Sequence, residues 1–303
     1  IAASTIDGDL TLLSGHASGI TDSGTVTVGG NLAATTDANS GVINMGTLAV
    51  DGTIALTTNG NGNATAVNDA GMTFAASTVR GALSATATTG NITQSGALAI
   101  TGVTILAADS GNNITLNNTS NDFQGAVRIT SGNNVTLVDA GAIDLGASTV
   151  SGTYAVTATA GGDITDSGAL AITGASTFTV ANGRSITLDQ SSTFTGAVTF
   201  SSAGTIASVT INDSSALDLK ALTLSDDLTV IAGGAVTDSG TLVVPGTTTI
   251  SASGQDVTLD DSSSNFGTAT LTGANVSIRD TNAIILGDST VSGTYTVTAG
   301  GAI

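Results

Sequence analysis

Along most of this chain apolar and polar residues alternate in very short runs. Triplets of apolar, Thr, apolar recur throughout, as Leu10-Thr-Leu12, Val26-Thr-Val28, Ile114-Thr-Leu116, Val135-Thr-Leu137, Ile186-Thr-Leu188, Val209-Thr-Ile211, Leu222-Thr-Leu224 and Val257-Thr-Leu259. Period-two alternation predicts strands, each with two aliphatic side chains on one face and Thr on the other. Strands this short make no independent sheet and must stack on copies of themselves.

The chain repeats itself. Ile20-Thr-Asp-Ser-Gly24 returns as Ile92-Thr-Gln-Ser-Gly96, Ile164-Thr-Asp-Ser-Gly168 and Val236-Thr-Asp-Ser-Gly240, an even spacing that sets a period of about 72 residues. A second block, Ala3-Ser-Thr-Ile6, Ala76-Ser-Thr-Val79, Ala147-Ser-Thr-Val150 and Asp288-Ser-Thr-Val291, keeps the same register. A finer unit shows in Ser110-Gly-Asn-Asn-Ile-Thr-Leu116, which reappears about 21 residues on as Ser131-Gly-Asn-Asn-Val-Thr-Leu137. These periods predict one continuous all-β parallel solenoid over 1–303, with about three coils of roughly 21 to 26 residues per repeat and about three strands per coil. The repeats fall at approximately 20–91, 92–163, 164–235 and 236–302, with 1–19 the end of a preceding repeat and 303 the start of the next. An opening at Ile1 without Met reads as a segment of something longer.

Composition agrees with strands and turns rather than helices. There are 40 glycines, one proline (Pro245), and 23 acids, every one of them Asp, the acid that favours turns. A net charge of −18 leaves Arg80, Arg128, Arg184, Arg279 and Lys220 as the only strong bases. Nucleic-acid binding needs clustered cations and is excluded, and an anionic membrane surface is disfavoured for the same reason. There is no cysteine for a disulfide, and no run of about 20 apolar residues for membrane insertion.

The phrase Ala235-Val-Thr-Asp-Ser-Gly-Thr-Leu242, repeated through a Gly-, Thr- and Asn-rich chain, resembles the arrays of filamentous-haemagglutinin-like giant adhesins and related β-strand-repeat surface proteins. That resemblance implies a right-handed parallel β-helix at the bacterial cell surface or outside the cell, serving as a rigid stalk or adhesive fibre. It implies as partners flanking repeats end to end, and host or neighbouring-cell surface proteins or glycans. The Asn-Pro-Asn motifs of that family's secretion domain do not occur in this sequence, whose proline sits in Val244-Pro-Gly246.

Chemistry is sparse. Asp22, Asp166 and Asp238 recur, with Gln94 in the second copy, and so do Asp69, Asp139 and Asp280; both sets read as corner carboxylates accepting turn N–H groups, with Ca²⁺ ligation or docking of basic partners as the alternative. The densest acid cluster, Asp256, Asp260 and Asp261, is the candidate site for Ca²⁺, the one cofactor the sequence suggests. His16 stands alone in Ser14-Gly-His-Ala17, and no nucleophile has a paired base, so no catalytic residue is assigned and the chain is not expected to be an enzyme. Tyr154, Tyr295, Phe123, Phe194 and Phe266 are expected to fill the core. Thr-x-Thr pairs such as Thr177 and Thr179 recur about once per repeat, too widely for a continuous array on adjacent coils. The leading expectation is therefore a structural segment of a large surface protein. A self-assembling filament subunit is the alternative, ahead of a polysaccharide-processing β-helix or an ice-binding solenoid.

Overall fold

The computed structural model describes residues 1–303, which form strands and turns without a helix. Every register pairs parallel strands about one turn apart, as Leu10 with Leu32, Leu32 with Ile54 and Val209 with Leu228. The chain is an all-β parallel β-solenoid of about 14 turns, with about three coils per repeat. It divides into two compact units, Ile1–Thr159 and Ala160–Ile303.

Each turn has two sides of different shape. One is a straight strand, such as Leu83–Ala87 or Thr104–Ala108, whose first, third and fifth side chains are buried. The other is a bent pair of short strands, such as Ile92–Gln94 followed by Leu98–Ile100. Alternation sends most Val, Ile and Leu into the interior with the expected fillers Tyr154, Phe123, Phe194 and Phe266, whose rings are at most 2% exposed, whereas Tyr295 is half-buried.

The sides do not keep their shape along a face. In the first unit one face stacks straight strands at Leu10–Ser14, Leu32–Thr36 and Thr53–Thr58, then bent pairs beginning at Met72, Ile92 and Ile114, then straight strands at Val135–Asp139 and Tyr154–Ala158. The opposite face carries bent sides at Ile20 and Ile43, then straight strands at Ala64–Asn68, Leu83–Ala87, Thr104–Ala108 and Val127–Ser131. From Ile20 to Ile92 the chain therefore passes six complete sides: 32–36, 43–50, 53–58, 64–68, 72–79 and 83–87. Ile92 opens the seventh side, so one repeat closes three turns and a further half, and equivalent residues of successive repeats lie on opposite faces. The second unit does the same, with Ile164 and Val236 on opposite faces.

Once per repeat a straight strand begins with a buried hydroxyl, at Thr104, Ser176 and Thr248, all at most 1% exposed and without a hydrogen-bond partner. A buried unpaired hydroxyl costs on the order of 1–3 kcal/mol, whereas an apolar group of the same shape costs nothing to desolvate. Thr248→Val is accordingly expected to leave the fold intact and raise its stability by about 1 kcal/mol, read as a higher urea midpoint.

Candidate functional site

Wherever a side changes shape along a face, the backbone ladder cannot stay in register, and buried N–H groups at the bend need another acceptor. The recurring polar residues supply it. Where a bent side is followed by a straight one, a residue at the end of the straight strand reaches back: Asp139 Oδ2 accepts from Phe123 N–H at 2.7 Å, Asp213 Oδ1 from Phe194 at 3.4 Å and Asp280 Oδ2 from Phe266 at 2.6 Å. In the first copy Asn68 takes this place, accepting from Val50 N–H at 2.8 Å. This corrects the sequence grouping, because Asp69 is exposed while its neighbour Asn68 is the buried counterpart of Asp139.

Where a straight side is followed by a bent one, serine makes the tie. Ser77, Ser148 and Ser289 accept from the middle N–H of the preceding straight strand, at Leu56, Ile129 and Leu271, each at 3.0 Å. Between two bent sides the Thr-Asp-Ser-Gly aspartate reaches forward. Asp22 accepts from Gly46 and Thr47 N–H, Asp166 from Asp189 and Gln190, and Asp238 from Asp260 and Asp261. Gln94 keeps the role by pairing with Asn121. Burial pushes the Asp22 carboxyl up, but the bonds from Gly46 and Thr47 outweigh it and hold the group below the usual range. At Asp238 burial wins, helped by repulsion from Asp260 and Asp261, and the carboxyl lies above its ordinary value.

The calcium candidates do not converge. Asp256 Oδ1 accepts from Asn275 N–H and Nδ2 one turn on, while Asp261 Oδ1 accepts from Ser263 N–H and Thr241 Oγ1. Asp260 lends its N–H to Asp238, and no three His, Cys, Asp or Glu side chains of the chain gather into a cation-sized group. His16 Nδ1 accepts from Ser18 N–H in an exposed turn.

One place breaks the pattern. The straight strand Val198–Ser202 pairs back to Ser176–Val180, and Leu217–Leu219 pairs forward to Val236–Asp238, but no ladder joins these two strands, and their sides meet only at the far corner, where Ile206 bridges Leu224 and the Ser225 and Asp226 N–H groups donate to Ile206 and Ala207. Three clefts adjoin along it. In the first Val198 and Phe200 lie close against Leu217–Leu222 with no room for a water molecule, and the two that flank it are open and measure about 220 and 260 Å³. Leu222 occupies the position of the tying serine. Lys220, the sole lysine, forms with Asp218 at 2.6 Å the only salt bridge. Burial raises the Asp218 carboxyl, but bonds from Lys220 and Ser239 and the lysine charge bring it below its ordinary value.

The periodicity has a counterpart among known sequences. The family model described as "Repeats of unknown function (DUF5649)" matches residues 61–130, 132–201, 206–272 and 273–303, well over half of the chain. The chain belongs to that family. Its copies begin at positions 61, 132, 206 and 273, a spacing close to that of the Thr-Asp-Ser-Gly block. No curated protein and no solved structure matches. The seam lies at the boundary of two family copies, with Val198–Ser202 closing the second and Leu217–Leu222 early in the third.

That seam was visible in the sequence as a gap. The Ser-Thr-Val block follows Ala76, Ala147 and Asp288, and Ala221-Leu-Thr-Leu224 stands where one copy is missing.

The threonines also differ from expectation. Threonines do form a continuous rank, because pairing sets Thr165, Thr187, Thr210, Thr229, Thr249 and Thr270 side by side on six successive turns of the second unit, with Thr249 of the Thr247 and Thr249 pair among them. In the first unit Thr53, Thr73 and Thr93 run likewise, with Thr73 and Thr93 hydroxyls 2.9 Å apart.

Proposed function

We propose that this chain is a structural repeat segment of a large secreted or surface-anchored bacterial protein, a stalk whose work is mechanical. The observation that carries the reading is the fate of the recurring polar residues. Asp139, Asp213, Asp280, Asp22, Asp166 and Asp238, the side chains best suited to bind or catalyse, each accept backbone N–H groups from a neighbouring turn. Side chains used in this way lace turns together, which is what a segment under tension needs.

Pulling single molecules from both ends tests it. The expected record shows force peaks, each releasing about 250 Å for a repeat of about 72 residues at about 3.5 Å per residue. Extension without peaks, as of a loose coil, overturns the reading.

The threonine rank supports a second reading, a flat hydroxyl face that orders water or ice. Adjacent strands lie about 4.8 Å apart and alternate residues about 6.6 Å apart along a strand, so Thr247, Thr249 and Ser251 over Thr268, Thr270 and Thr272 make a two-dimensional hydroxyl lattice. Inhibition of ice recrystallisation that is lost in Thr249→Tyr is the expected sign. Equal ice growth with and without the protein removes this reading.

A further inference from the structure

We infer that the seam between Val198–Ser202 and Leu217–Leu219 is a hinge, at which the second unit opens on one face while the opposite face stays paired. Such a hinge is a property of the fold and holds whatever the chain does.

Each lip of the seam is anchored on its outer side. Phe200 stacks on Phe178 of the preceding turn, with centroids 6.2 Å apart and planes at 26°. On the other lip every polar bond of the Asp218 and Lys220 side chains stays on that lip or runs to the following turn. Lys220 Nζ donates to Asp218 at 2.6 Å and to Ser239 at 3.0 Å, and Ser239 and Thr237 hydroxyls donate to Asp218.

The tie that closes the same junction elsewhere is absent. Where Ser77, Ser148 and Ser289 accept from Leu56, Ile129 and Leu271, the corresponding residues are Leu222 and Phe200, and a leucine side chain offers no acceptor. Phe200 is also only half-buried, unlike Phe178, Phe194 and Phe266.

The opposite face of the same two turns is continuous. Ile186, Thr187 and Leu188 pair with Val209, Thr210 and Ile211, and Thr193 Oγ1 lies 2.7 Å from Ser214 Oγ. On the seam face backbone bonds join the two turns only at the Ile206–Leu224 corner, through Ser225 and Asp226 N–H, so the stretch from Val198 to Ser202 opens by rotation about the laced opposite face and that corner. Local openings of this kind occur below the free energy of global unfolding.

Amide hydrogen exchange resolved along the full chain tests the hinge. The expected result is exchange at least about tenfold faster in 198–202 and 217–219 than in the outer neighbours 176–180 and 236–238, with 186–188 and 209–211 as protected as those neighbours. Equal protection on both sides of the seam overturns the proposal, and so does equally fast exchange in 209–211, which would mean that the whole turn opens. Leu222→Ser is expected to slow the Phe200 amide. Because that change also removes a buried leucine, the reciprocal Ser148→Ala serves as a second reading of the tie. It is expected to speed the Ile129 amide about tenfold, and an unchanged Ile129 amide refutes the role assigned to the serine.

Discussion

Phe178→Ala is expected to cost about 4 kcal/mol, the largest loss of any single side chain in the second unit. The ring is fully buried and meets two others, Phe194 edge-on at 6.1 Å and 84°, and Phe200 stacked at 6.2 Å. Truncating a buried phenylalanine costs about 3–5 kcal/mol, and each aromatic contact adds about 0.5–1.5 kcal/mol. Phe200→Ala should cost much less, about 1–2 kcal/mol, because that ring is partly exposed. Urea unfolding of both variants decides the matter, and a Phe200 penalty equal to that of Phe178 would contradict this packing. In a stack where each turn touches only its neighbours, the Phe178 loss should also be local. Protection should fall in Ser176–Val180 and Val198–Ser202 and remain unchanged in the turns beyond Val236.

Much of this architecture is legible in the sequence, because period-two alternation states which residues point inward. The triplets at Ile186-Thr-Leu188 and Val209-Thr-Ile211 are strands with the expected faces buried. Alternation carries no information about which residue lies above which, since that depends on how many residues each corner absorbs. The half-turn remainder, which puts Ile20 and Ile92 on opposite faces, is therefore invisible in the long period. The same blindness misplaced Asp69, one position away from the buried Asn68. It also hid the threonine rank, whose members Thr165, Thr187, Thr210, Thr229, Thr249 and Thr270 follow no fixed interval. Ties such as Asp139 to Phe123 lie beyond the sequence for another reason. A carboxylate marks a turn in any reading, and only the failure of the ladder where a bent side meets a straight one makes it an interior acceptor. Leu222 is the exception, since a serine missing from a regular series marks the seam in the sequence itself.

Asp139 offers the sharpest measure of what these ties contribute. Its carboxylate is 1% exposed and holds two N–H groups, Phe123 at 2.7 Å through Oδ2 and Gly141 at 2.6 Å through Oδ1. Asp139→Ala leaves both donors without an acceptor, at about 1–3 kcal/mol each, offset in part because a buried charge no longer has to be desolvated. The expected net loss is about 3 kcal/mol, and Asp139→Asn, which keeps one acceptor oxygen, should lose about half of that. The pH dependence tests the balance directly. Burial pushes the Asp139 carboxyl above its ordinary value of 3.8, against the bonds from Phe123 and Gly141, and the nearby Asp122 adds to the rise. The native state therefore binds a proton that the unfolded chain does not over the window between that value and the raised one, so acidification through the window stabilises the wild type. The amide introduced by Asp139→Asn does not titrate, and the shared depressed carboxyls of Asp22 and Asp218, whose contribution is lost only below the ordinary Asp range, cancel in the comparison. The penalty of Asp139→Asn should thus be smaller at about pH 7 than at about pH 4 when urea midpoints are compared. A penalty that shrinks on acidification would mean that the two N–H bonds outweigh burial, and that the carboxylate is held as a stabilised anion.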